Sequence, residues 1–140
     1  MAYASVSDLI QRYGERELIN NTTPEGMPRE SIDQLRVEQA LTDASALIDS
    51  FLNRRFVVPL QNAPASVVNA CCKIARFDIA QSGESQPTDQ MRLDQKDAVA
   101  WLTLLAKGTV TLDGQTAANE SSSWSRIQRR RPMQGGGQLW

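Results

Sequence analysis

Few residues in this 140-residue chain could do chemistry, and their spacing works against convergence. Histidine is absent, which removes the commonest general base and the commonest transition-metal ligand together. Cys71 and Cys72 are the only cysteines. Neighbours on a helix point about 100° apart, poorly placed to bridge each other or to share one metal. They read as small hydrophobes, one or both of them buried. Asp43 and Asp49 sit six apart on one helical stretch, about 600° of rotation, and so do not converge. Asp94 and Asp97 share a face at three apart. Without further ligands they read as a solvated helix face. Gly135-Gly136-Gly137 is no phosphate cradle, because no helix follows to present its N-terminus. No phosphate loop, dinucleotide fingerprint, nucleophile elbow or calcium loop is present. The expectation is a protein that is not an enzyme, with no catalytic residue, cofactor or metal.

The richest constellation lies at the end of the chain. Trp124-Ser125-Arg126-Ile127-Gln128-Arg129-Arg130-Arg131 is followed by a glycine-rich stretch and by Leu139-Trp140. All 16 acidic residues fall at or before Glu120, so the body carries −5 and the last twenty residues +4. Arginine neutralises phosphate and tryptophan stacks on bases, which suits nucleic acid. Both types are equally at home in protein interface hot spots. Two tryptophans in a polar tail argue against an idle solvated end, and the acidic body favours docking on protein over nucleic acid. Trp124, Arg126, Ile127, Arg129, Arg130, Arg131, Leu139 and Trp140 are the candidate docking residues. Arg54-Arg55 reads either as a cap on the negative end of its own helix or as a contact with a neighbouring subunit.

The elements that position these residues are mostly helical. Hydrophobic residues make up 41% and charged residues 22%, ordinary for a soluble globular protein. No apolar run approaches the ~20 residues of a membrane span. The first residues lack the basic start and apolar stretch of a signal peptide, so cytoplasmic synthesis is expected. A short helix runs from Ser5 or Ser7 to Gly14, and residues 15–19 add a turn. The loop of residues 20–28 follows. Ser31-Ile32-Asp33-Gln34 matches a capping box, opening a long central helix that ends near Arg55, ahead of Pro59. Phe56-Val57-Val58 should run extended. A further helix starts at Pro64 and breaks at residues 81–87. The last spans about Thr88 to Lys107 and exits through Gly108. Thr109-Val110-Thr111-Leu112 alternates and suggests a short strand. The fold class is all-α: a compact bundle of about four helices, with a short extended segment near 109–112. Residues 1–114 form the helical domain and 115–140 an extended C-terminal arm. That arm cannot bury enough apolar area to offset its ordering entropy alone, so it should gain order from another polypeptide.

Several runs resemble the head–tail joining (neck, or adaptor) proteins of Mu-like phages. Tyr13-Gly14-Glu15-Arg16-Glu17-Leu18 is similar to the family's opening. The run from Ala40-Leu41-Thr42-Asp43-Ala44-Ser45 through Ile48-Asp49-Ser50 to Arg55-Phe56, then Pro59-Leu60, carries the resemblance furthest, with Phe56 where tyrosine is usual. Cys71-Cys72-Lys73-Ile74-Ala75-Arg76, and Ala100-Trp101-Leu102 with Ala106-Lys107-Gly108, are similar to the later helices. The likeness covers about residues 3–112. It implies a virion structural protein of the neck, assembled in the host cytoplasm as a homo-oligomeric, twelve-fold ring below the portal. Its partners would be the portal protein and the next neck or tail-completion protein, with no membrane involved. DNA would pass through its channel without specific binding, and acidic walls suit that passage because they do not hold phosphates. A nucleic-acid-binding regulatory protein using the arginine tail is the alternative, and a carboxylate or cysteine enzyme the weakest reading.

Overall fold

A computed structural model describes residues 2–24, 26–83 and 86–112. Among these residues the chain forms five helices and no strand. They are α1 (Val6–Tyr13), α2 (Glu15–Thr22), α3 (Gln34–Leu52), α4 (Ala65–Ser82) and α5 (Asp89–Lys107). The last three form a bundle in which each packs on the other two, and α1 and α2 pack against α3 and α4.

Capping explains where the helices begin. Ser5 accepts from the Asp8 amide at 3.2 Å while the Asp8 carboxylate accepts from the Ser5 amide at 2.9 Å, a reciprocal box at the head of α1. Gly14, at φ +91°, ends α1 and starts α2 in one residue, a conformation costly for any residue with a Cβ. The expected turn at 15–19 is therefore a full helix. It closes where the Thr22 and Thr23 hydroxyls bond back to the Leu18 and Ile19 carbonyls at 2.8 and 2.7 Å.

The capping box expected at Ser31 and Gln34 does not form. Asp33 caps α3 instead, accepting from the Arg36 amide at 3.3 Å. The reason is tertiary: the Asp33 amide donates to Thr22 Oγ1 at 3.2 Å, which fixes the entry point. At its other end α3 stops at Leu52, a turn before Arg55, because the Arg55 and Phe56 amides both fold back onto the Leu52 carbonyl. Nor is α3 uniquely long, since α5 has the same 19 residues and α4 has 18. The last helix begins where expected, with Thr88 as its cap, and Gly108 leaves it in the left-handed region at φ +90°.

The core is one apolar cluster. Val37, Leu41, Ile48 and Leu52 from α3 meet Val67, Cys71, Ala75 and Ile79 from α4 and Leu102 and Leu105 from α5. Leu9 and Leu18 seal the short helices against it, and Phe56 and Leu60 close the connection between α3 and α4. Each fully buried large aliphatic side chain contributes about 1.5–3 kcal/mol. Residues 109–112 are not a strand, yet their alternation is real: Val110 and Leu112 turn inward while Thr109 and Thr111 face solvent. The arm expected at 115–140 lies outside the described residues.

Candidate functional site

The side chains singled out for chemistry are scattered over the helices rather than gathered at one place. Asp43 is exposed and accepts from Gln39 Nε2 at 2.9 Å. Asp49 points elsewhere and accepts from the Tyr3 hydroxyl. Asp94 faces Arg76 at 3.6 Å, while Asp97 lines a groove between α4 and α5 with Lys73 and Trp101. The pair that shares a helix face thus serves two different neighbours. Among the described residues no three cysteine, aspartate or glutamate side chains gather closely enough to hold a metal ion.

Both cysteines are fully buried on α4. Burial raises the Cys71 thiol, and pushes Cys72 up to about 11. Cys71 Sγ sits 3.5 Å from Ser45 Oγ. A raised thiol without solvent access makes a poor nucleophile.

Two arginines anchor opposite parts of the body. Arg76 forms a fork with Glu17, Nε to Oε2 at 2.9 Å and Nη2 to Oε1 at 2.8 Å, and lies 4.1 Å from the Tyr13 ring centroid. With Asp94 beside it, one guanidinium joins α1, α2, α4 and α5. Its hydrogen bonds to Glu17 hold its proton more tightly than usual, and burial raises the Tyr13 phenol. Arg55, expected to cap its own helix or to meet a neighbour, caps a different helix. Its Nη1 donates to the Leu105 carbonyl at 2.6 Å and to Val110 at 3.2 Å, which answers the negative end of α5. Arg54 is exposed.

A third anchor, Tyr3, lay outside the sequence reading. Its amide donates to Ser45 Oγ at 2.9 Å, its hydroxyl donates to Asp49, and the same oxygen accepts from the Leu60 amide at 3.0 Å. Burial, and then the carboxylate, push its phenol up to about 12. The Arg76 fork and this hub join residues more than forty positions apart, so no local spacing rule could have found them.

Two shallow grooves flank α4. One, of about 250 Å³, is floored by Ala70, Ala98 and Trp101 and edged by Lys73 and Asp97. The other, of about 320 Å³, lies towards α3 and gathers Arg36, Asp43, Asp78 and Ile79. Burial and the nearby Asp43 charge raise the Asp78 carboxyl. The candidate docking residues Trp124, Arg126, Ile127, Arg129, Arg130, Arg131, Leu139 and Trp140 lie outside the described residues. No described helix is long and apolar enough to cross a membrane.

Comparison with known proteins extends the resemblance seen in residues 3–112. The family model described as Bacteriophage Mu, Gp36 matches residues 3–128, and so takes in Trp124, Arg126 and Ile127. Gene product J of Escherichia phage Mu is 37% identical over 139 residues, covering 95% of this chain and 94% of the relative. The Mu-like prophage FluMu protein gp36 of Haemophilus influenzae is 34% identical over 143 residues, covering 99% of this chain and 92% of its own length. A match along nearly the whole length of both chains places this protein in the bacteriophage Mu Gp36 family.

Proposed function

We propose that the chain is a non-enzymatic structural subunit of a Mu-like virion: a head–tail connector of the neck that forms a ring below the portal, lines the DNA channel and is assembled in the host cytoplasm. The observation that carries this reading is a division of labour. Up to Leu112 the buried and half-buried polar side chains Tyr3, Asp49, Arg55, Glu17 and Arg76 tie one segment of the body to another, while after Ser123 the sequence places four arginines, two tryptophans and no acid. A body so occupied suits a building block, and an arm so composed suits docking on a portal or an adjacent subunit. The net negative body suits a conduit for DNA. Exposed Arg54 is the body's own candidate for a neighbour.

The test is a chain ending at Ser123. It should keep wild-type helical circular dichroism and melting while losing co-sedimentation with the phage's portal protein; attachment at wild-type strength overturns the proposal. A gel-shift series on the full chain addresses the alternative, a nucleic-acid-binding regulator. Retention that falls steeply with salt would support that reading, whereas no shift at any salt would exclude it.

A further inference from the structure

The outward faces of α3 and α5 repeat one apolar spacing, with lysines beside it on α5 and acids beside it on α3. On α5, Leu93, Ala100 and Leu104 are exposed, the leucines by 53% and 40%. At steps of seven and four residues they fall within about 40° around the helix axis. On α3, Leu35, Thr42 and Ala46 are exposed at the same two steps, Leu35 by 80%. Three residues after the first leucine in each comes an exposed charge on the same flank, Lys96 on α5 and Glu38 on α3. Exposed Lys107 adds to α5 and exposed Asp43 to α3. Of the acids on α5, Asp89 lies in its first turn, Asp94 faces Arg76, and Asp97 lines the α4–α5 groove where Lys73 also stands.

We infer that the α5 face of one copy of this chain docks on the α3 face of a second copy. Bulk meets space in that pairing, because Leu93 and Leu104 stand opposite a face whose centre is Thr42 and Ala46. Lysine also meets acid, whereas α3 against α3 would set acid against acid. Within one chain the two faces cannot meet, since α3 and α5 already pack on each other and on α4 through their inner sides. A contact between two different surfaces leaves one of each free on every pair, so it propagates head to tail until it closes. The inference rests on the ring-subunit reading above and supplies its subunit interface.

Two double variants at exposed positions test it, Leu35→Glu with Ala46→Glu on α3, and Leu93→Glu with Ala100→Glu on α5. Both leave the buried core untouched. The full-length chain is followed by native mass spectrometry across concentration, alone and with the phage's portal protein. Wild type should form a closed oligomer, and each variant alone should fall at least about tenfold in self-association. Mixed together, the two variants should form a one-to-one dimer and stop there, because each retains the face the other has lost. That dimer also proves both variants folded; if a double variant loses helicity, Leu35→Glu or Leu93→Glu alone replaces it. Oligomers that persist in both variants overturn the inference, assign the faces to the arm or another partner, and leave the ring reading intact. A variant that dimerises by itself shows like-with-like pairing and also overturns it. A wild-type chain that never oligomerises, even with portal, overturns both readings.

Discussion

The N-terminal helix pair and the three long helices reach the same burial by different means. Between α3, α4 and α5 the contacts are mainly aliphatic, with Val37, Ile48, Val67 and Leu102 wholly buried, and polar ties such as Arg76 with Asp94 and Arg36 with Ser82 lie at their edges. The segment from Tyr3 to Thr22 buries Leu9 and Leu18, but its position is set by polar ties: Tyr3 on Ser45 and Asp49, Arg12 on Asn69 at 3.1 Å, and Glu17 on Arg76. Apolar packing supplies most of the free energy yet tolerates sliding, because it is non-directional. Hydrogen bonds and forked ion pairs contribute less net energy but accept only one arrangement. The long helices thus provide stability, and the N-terminal pair is located upon them.

Removing apolar volume from the long helices should have the largest effect. Ile48→Ala leaves a cavity beneath a fully buried position and should cost about 2–5 kcal/mol, read as a lower denaturation midpoint with all helices unfolding together. A loss below ~1 kcal/mol would mean that the long helices do not carry the stability assigned to them. Arg76→Ala should cost less, about 1–3 kcal/mol, and should act locally. Hydrogen exchange ought to quicken in α1 and α2 while the amides of α3 keep their protection; a uniform rise along the chain would erase the distinction between the two regions. The smallest effect belongs to Asp78, whose carboxyl is raised by burial and then by Asp43. Raising an acid's affinity for its proton in the folded state disfavours the ionised form. The penalty is therefore absent below the unfolded carboxylate range and sets in as pH rises through the folded value. Asp78→Asn should melt slightly higher than wild type at pH 7 and equally at pH 3. Solvent screening keeps the gain small, and a variant less stable at pH 7 would contradict the sign.

This contrast also sets what could be read in advance. Periodicity picked out α3, α4 and α5 because their inner faces are apolar at steps of three and four, and Pro64, Thr88 and Gly108 each mark a boundary where the structure has one. It missed the true cap of α3, since Ser31 and Asp33 both qualify locally and Thr22 decides between them from eleven residues away. It shortened α2, whose last turn depends on threonine hydroxyls bonding backwards. The sequence leaves Arg55 open between a cap on its own helix and a subunit contact, and hides the helix it does cap, because fifty positions separate it from Leu105. Local rules see propensity and pattern, while polar ties between distant segments depend on the assembled fold. The Arg126–Arg131 cluster was visible as composition alone, and its residues lie outside the described structure.

The paired cysteines on α4 have a practical consequence. Burial pushes the Cys72 thiol up to about 11, which keeps it protonated at neutral pH, and neither sulfur is open to solvent. Maleimide dyes should pass the native protein by. A cysteine introduced at exposed Glu30 or Val57, away from both proposed docking faces, would then take up label alone, so that fluorescence transfer between copies could follow assembly without first removing the native thiols.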